Sequence, residues 1–157
     1  QLNLQPEMIE DIFREAIHHL GRNKRKHNIS MHLEDDLLMA NMDARLIIQV
    51  LVNLINNAIK YTPENSNISL NARRVEDKIL IEVQDDGNGV LHPDQLFEMF
   101  YTENNRGGDT RRGMGLGLSL CKSIIQSHGG TIWVENVTPH GACFKFVLDA
   151  VEVKLYE

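Results

Sequence analysis

Three groups of residues in this sequence have types and spacings suited to holding a charged ligand. The first is Asn53, Asn56, Asn57 and Lys60, which with Gln49 are the polar exceptions in the otherwise apolar run of residues 46–60. On a helix, offsets of four and seven put Asn53, Asn57 and Lys60 on one face. A plain solvent stripe uses Glu, Lys or Arg. Asparagine costs a helix up to about 0.7 kcal/mol per residue relative to alanine, and local conflicts of that kind mark functional sites. Amide oxygens are hard ligands suited to Mg²⁺ beside a polyphosphate, and a lysine one turn on can meet phosphate charge. The competing reading of this stripe is a buried amide network.

The second group is Val83-Gln84-Asp85-Asp86-Gly87-Asn88-Gly89-Val90, directly off the end of an apolar strand pattern. Glycines two apart after a carboxylate allow a tight turn and a close backbone approach. A carboxylate there can accept a hydrogen bond from an exocyclic amine, which would separate adenine from guanine. Taken alone, it reads equally as an Asp/Gly turn. The third group is Gly113-Met114-Gly115-Leu116-Gly117-Leu118, opening a helix pattern after a polar loop that carries Arg106, Arg111 and Arg112. Bare N–H groups at a helix start attract anions, and glycine lets phosphate come close. A flexible helix cap is the plainer reading. The pattern is not a Rossmann fingerprint, because Leu118 stands where a glycine is required, nor a P-loop, because the chain has no Gly-Lys pair.

Ordinary elements must position these groups. Residues 1–5 alternate like a short strand, and Pro6 opens a helix with Ile9, Ile12, Phe13, Ala16, Ile17 and Leu20 at helical spacing, ended by Gly21 and Asn23. Residues 27–33 and 37–42 read as short strands around an acidic turn. Asp43 is a candidate N-cap for the helix carrying the asparagines, which runs to about Tyr61 and stops before Pro63. A hairpin follows, with Ile68, Leu70 and Ala72 on one strand, Ile79, Ile81 and Val83 on the other, and Glu76 and Asp77 at its turn. Residues 101–112 have almost nothing to bury and read as a mobile lid. A helix over about 115–128 packs Leu116, Leu120, Ile124 and Ile125, and strands over 131–135 and 142–148 complete the chain. Strands and helices mix without regular alternation. That pattern predicts an α+β fold, a two-layer α/β sandwich with a mixed, mostly antiparallel sheet and helices on one face.

Composition narrows the partners. A length of 157 residues suits one domain, and a net charge of −6 argues against a nucleic-acid surface. The basic run at residues 22–26 follows a helix end, where cations suit the dipole. No apolar stretch nears the roughly 18–20 residues of a membrane span, and no signal-peptide pattern is present. The chain itself is therefore expected to be soluble and to make no membrane contact. Cys121 and Cys143 fall in apolar patterns and read as buried thiols in a reducing compartment. Gln1, rather than Met, at the start suggests a piece of a longer protein.

In sequence order, residues 53–62 (NLINNAIKYT), 85–89 (DDGNG), 96–101 (LFEMFY) and 113–118 (GMGLGL) resemble the N, G1, F and G2 boxes of the histidine-kinase ATPase family. His128-Gly129-Gly130 and Gly141-Ala142-Cys143-Phe144 look like the glycine positions bracketing its last strands. The resemblance spans about residues 1–148, and the lid stretch is similar to Kdp-type potassium-sensor kinases. It implies the Bergerat ATP-binding fold, a catalytic domain over residues 1–149 with a tail over 150–157, and ATP and Mg²⁺ as cofactors. By the same resemblance Asn57, helped by Asn53, ligates Mg²⁺, and Lys60 and Tyr61 contact the phosphates. Asp85 takes the adenine amine, with Gly87, Gly89 and Val90 shaping the pocket floor. Phe97 and Phe100 anchor the lid; Gly113, Gly115, Leu116, Gly117 and Leu118 wrap the triphosphate; Arg111 and Arg112 are the lid cations. Two departures stand out. Ala142 lacks the hydroxyl that relatives use to support the adenine contact, and no ligand role carries over to Met114.

In related hydrolysing ATPases of the gyrase, Hsp90 and mismatch-repair types, a glutamate base sits four residues before the Mg²⁺ asparagine. Here that place is Asn53, which cannot accept a proton at neutral pH. The resemblance thus implies a kinase that passes phosphate to a separate acceptor, by positioning and charge neutralisation. An anti-sigma-type serine kinase usually keeps the glutamate, so Asn53 counts against it. A nucleotide-binding module without catalysis is the non-enzyme alternative, and the intact boxes count against that. None of the seven histidines has the acceptor pattern: His18-His19-Leu20-Gly21 lacks the following acid, and His92-Pro93 lies in a loop. The expected partners are therefore ATP or ADP, a dimerisation and phosphoacceptor domain of the same parent, and a response regulator. The parent would be a membrane-anchored bacterial sensor, with this domain on its cytoplasmic side.

Overall fold

The structure, a computed structural model, describes residues 1–35, 37–98 and 117–152. Seven strands and three α-helices occur in the described residues: β1 (Gln5–Met8), α1 (Ile9–His19), β2 (Asn28–Leu33), β3 (Met39–Met42), α2 (Ala44–Lys60), β4 (Asn67–Val75), β5 (Lys78–Asp85), α3 (Gly117–Ser127), β6 (Ile132–Asn136) and β7 (Ala142–Asp149). Five of the strands form one sheet in the order β2-β4-β5-β7-β6, and β1 pairs with β3 in a separate ribbon.

Register explains why one face of the sheet is apolar. Leu70 lies opposite Val83 and Ala72 opposite Ile81, while Val83 and Ile81 face Phe144 and Phe146. These alternate residues are buried and join one core with Phe13 of α1, Leu51, Leu54 and Ile55 of α2, and Ile124 and Ile125 of α3. All three helices thus cover one face, giving the two-layer α+β sandwich with a mixed sheet. Only β2–β4 is parallel; the other pairs are antiparallel. On the open face Lys145 bridges Glu82 at 3.3 Å and Glu135 at 3.2 Å. The core side of α2 is fully closed: Leu54 is 0% exposed, so Leu54→Ala would cost about 2–5 kcal/mol through the cavity left behind.

Several local expectations shift. The first strand is Gln5–Met8, not residues 1–5, and Pro6 lies within it opposite Asn41 rather than opening α1. Proline is tolerated there because a two-stranded ribbon has an edge that needs no N–H donor. Helix α1 begins at Ile9, and Gly21, at φ +60°, follows its end. The strands on either side of the acidic turn belong to different sheets. Asp43 occupies the N-cap position of α2 but makes no side-chain cap. Its carboxylate instead accepts the Asn3 N–H at 3.1 Å and lies 3.7 Å from Arg45. Those contacts, the Asn3 N–H foremost, hold its carboxyl below the usual value against the opposing effect of burial.

On α3 the buried residue is Cys121, whereas Leu120 is 43% exposed. The inward face runs through positions 121, 124, 125 and 128, and this leaves 120 on the flank. His128 ties this helix to α2: its Nε2 accepts the buried Asp43 N–H at 3.0 Å, and its Nδ1 donates to Ile124 O at 2.8 Å. At the far end Ala150 bridges Ala40, and Val151 N–H donates to Met39 O at 2.9 Å, joining the β1–β3 ribbon to the main sheet. Among the described residues no helix is long and apolar enough to cross a membrane.

Candidate functional site

Helix α2 buries its Ile47, Val50, Leu51, Leu54, Ile55 and Ala58 side, which turns Asn53, Asn57 and Lys60 off the core. Asn53 is half-buried against α3, where its Nδ2 donates to Cys121 Sγ at 3.8 Å. Cys121 in turn donates to Val50 O at 3.9 Å. Burial pushes the Cys121 thiol up to about 12, partly offset by the Asn53 hydrogen bond, so it stays an S–H donor. Asn57 sits one turn beyond Asn53, half-buried. Two amide oxygens on one face are a donor set compatible with a hard divalent cation. Among the described residues no cluster of three or more His, Cys, Asp or Glu side chains forms a rival metal site.

Past the end of α2 the chain bends towards β5. Lys60 is exposed, with Nζ 5.3 Å from the centre of the Tyr61 ring. Thr62 is buried and fixed twice: its hydroxyl donates to Ala58 O at 2.7 Å and accepts from His27 Nε2 at 2.9 Å. Residues 60–63 then face residues 86–88 and His140 across a cleft of about 530 Å³. The lysine of the asparagine stripe and the glycine turn, 27 residues apart between Lys60 and Gly87, are thus walls of one space.

Asp85 ends β5, the central strand of the sheet, and is 3% exposed. Its Oδ1 accepts the N–H of Gly87 at 3.0 Å and that of Ala142 at 3.2 Å. Ala142 has no side-chain donor, so here the support is given by backbone. Asp86 is turned outward and holds Asn67 twice, through its backbone N–H and its Nδ2, both at 3.1 Å. Gly89 adopts φ +83°, a conformation open to glycine at little cost. Val90 is buried, and Asn136 brackets its peptide: Val90 N–H donates to Asn136 Oδ1 at 2.8 Å, and Asn136 Nδ2 donates to Val90 O at 3.0 Å.

Phe97 is buried edge-on against Phe144, with ring centres 5.9 Å apart, and so fastens the segment leading towards residue 99 onto the sheet. At the start of α3 Gly117 is exposed, and Leu118 is half-buried against the core. Phe100, Arg111, Arg112, Gly113, Gly115 and Leu116 lie outside the described residues, as does Met114. Sequence spacing missed Asn136, the last residue of β6, and His140, in the loop between β6 and β7. They sit about fifty residues from the turn they touch, and only strand pairing reveals that proximity.

Comparison with known proteins fits this arrangement. The family model for histidine kinase-, DNA gyrase B-, and HSP90-like ATPases matches residues 42–152, which include α2, the glycine turn and the last strands. The chain belongs to that family. Among curated relatives, Sensor protein KdpD of Clostridium acetobutylicum is 36% identical over 142 residues, covering 89% of this chain and 16% of the relative. Adaptive-response sensory kinase SasA of Gloeothece citriformis is 40% identical over 123 residues, covering 76% and 31%. This chain therefore spans less than a third of either relative. Among solved structures, the nucleotide-free catalytic domain of histidine kinase ThkA superposes with a TM-score of 0.82 at 28% identity, covering 94% of this chain and 97% of that one. ThkA has also been solved in complex with the response regulator protein TrrA, matching at TM-score 0.75 and 28% identity over 96% of this chain and 42% of that one. The fold is that of a histidine kinase catalytic domain.

Proposed function

We propose that this domain binds Mg-ATP in the cleft between the α2 stripe and the glycine turn and hands the γ-phosphate to a histidine on a dimerisation domain outside this chain. The observation that carries the reading is the placing of Lys60 and Gly87 on one cleft, beside a buried Asp85 anchored by two backbone N–H groups. In this reading Asp85 accepts the adenine amine, and Gly87, Gly89 and Val90 shape the floor beneath the base. Asn57 and Asn53 hold Mg²⁺, which would neutralise phosphate charge when bound. Lys60 and Tyr61 meet the phosphates. Gly113, Gly115, Leu116, Gly117 and Leu118 close around them, with Phe100, Arg111 and Arg112 acting from the lid. Asn53 supplies no base for water, which supports transfer over hydrolysis.

The functional unit is residues 1–149, extended by the Ala150 and Val151 contacts to the β1–β3 ribbon, with the residues after them as a tail. The parent is a membrane-anchored bacterial sensor kinase with this domain in the cytoplasm, serving a response regulator. The KdpD relative directs the finer reading towards potassium or osmotic signalling. The test has two arms. The chain alone should bind Mg-ADP and remain unlabelled by γ-labelled ATP; joined to upstream dimerisation helices bearing the histidine, it should yield acid-labile phosphate. Stable phosphate on the chain alone, or absence of nucleotide binding, would overturn the reading.

A further inference from the structure

Residues 85–90 consist of two Asp, two Gly, one Asn and one Val. Besides the bonds from Asp86 to Asn67, the turn is held from outside by residues 136–142, which are the end of β6, the start of β7 and the loop between them. Their contacts fall at three points along the turn. Ala142 N–H reaches Asp85 Oδ1 at the start, and Asn136 brackets the Val90 peptide at the end. Between them, His140 Nδ1 lies 2.8 Å from Asp86 O and 3.2 Å from Gly87 O. Gly141 makes the approach possible: a Cβ there would sit 2.2 Å from Asp85 O.

Both neighbours of His140 Nδ1 are carbonyl oxygens, so Nδ1 carries the hydrogen and donates to them as a shared bond. A neutral ring in this tautomer and a protonated ring both keep that N–H. The same ring lines the cleft beside Gly87 and Asn88. His140 itself is exposed, so the core does not depend on it.

We propose that His140 is a positioning residue for the nucleotide site, holding the peptides of Asp86 and Gly87 so that the turn presents Asp85 to the base, with Asn136 securing the far end. This rests on the nucleotide-binding reading above. Asparagine can place an amide N–H close to the position of Nδ1, whereas glutamine reaches only to that of Nε2. The set His140→Ala, His140→Gln and His140→Asn therefore separates the Nδ1–H bond from bulk.

Mg-ADP affinity is measured by titration calorimetry and folding by urea unfolding, using the whole chain. The alanine and glutamine variants should bind about tenfold more weakly, as expected for losing a shared hydrogen bond. The asparagine variant should stay within about threefold of wild type, and the urea midpoints should be unchanged. Equal affinities for all three variants and wild type would overturn the proposal alone. So would equal losses for asparagine and glutamine, or losses that track a falling urea midpoint, since either assigns the ring a packing role. A wild-type chain that does not bind Mg-ADP would instead sink the nucleotide reading and take this proposal with it.

Discussion

Replacing Asp85 with asparagine separates its contacts within the fold from the base contact proposed for it. The wild-type Oδ1 accepts N–H groups from Gly87 at 3.0 Å and Ala142 at 3.2 Å. Asparagine keeps an oxygen for both, but each bond falls from a charged acceptor, worth about 1.5–3 kcal/mol, to a neutral one of about 0.5–1.5 kcal/mol. The folding cost is therefore about 1–3 kcal/mol, within reach of a stable domain. At the base the change is harsher. The new amide NH₂ meets the adenine amine, donor against donor. The lost charged bond and the unpaired donors together amount to about 3–4 kcal/mol, or roughly 100- to 1,000-fold in affinity. Inosine diphosphate carries an oxygen at the same purine position and can accept from that NH₂. Titration calorimetry should show Mg-ADP binding falling by at least about a hundredfold in Asp85→Asn, while Mg-IDP loses far less, so that the preference reverses. Unchanged ADP affinity, or an equal fall for both nucleotides, would refute the assignment of Asp85 to the adenine amine.

Three further outcomes follow from the same geometry. Asn53→Glu restores a base where related hydrolysing ATPases have one, so phosphate release from ATP should rise by about tenfold or more; unchanged turnover with ATP still bound would separate Asn53 from the choice between transfer and hydrolysis. His128→Ala strands the buried Asp43 N–H and leaves Ile124 O without its imidazole donor, and urea unfolding should report a loss of about 2–4 kcal/mol. Cys121 and Cys143 are both pushed up to about 12, chiefly by burial. The native chain at pH 8 should react slowly with a disulfide reagent and the urea-unfolded chain at once. Because the folded state holds these thiol protons more tightly, stability should fall as pH rises from the ordinary thiol value of 9.0 towards 12.

How far the sequence could be read depended on whether a feature is periodic or relational. The α2 stripe, the β4–β5 hairpin and the buried strand faces all repeat along the chain, and periodicity reports which side of an element is apolar. It does not report which element lies opposite. The parallel β2–β4 pair escapes for that reason, since its strands are separated by β3 and the whole of α2. Pro6 has a helix-opening composition, yet its ribbon partner Asn41 is 35 residues away and decides otherwise. Leu120 and Cys121 are both apolar neighbours on α3, and only the direction of the sheet beneath them selects the cysteine. Asn136 and His140 carry no signal at all in their own neighbourhood. They meet the glycine turn because β7 returns beside β5 and brings the end of β6 and the following loop against it.

The asparagine stripe and the glycine turn differ in how their chemistry is fixed. Asp85 and its turn are set by hydrogen bonds, several of them from residues 136–142, so the turn depends on polar contacts near the surface. The stripe is set by the burial of the opposite side of α2, and Asn53 is its hinge to α3. Its Nδ2 gives a hydrogen bond to the Cys121 thiol, and the thiol passes one to Val50 O. A carboxylate at position 53 could only accept, and the thiol already spends its single hydrogen on Val50. Such a carboxylate would face sulfur without a donor at a half-buried position, a mismatch that costs about 1–3 kcal/mol. An amide keeps the donor that this contact with α3 needs. The amide at this position is therefore the condition under which α2 and α3 pack as they do, and under the proposed function the residue that supplies no base for hydrolysis is the one that joins the asparagine stripe to the helix beginning at Gly117.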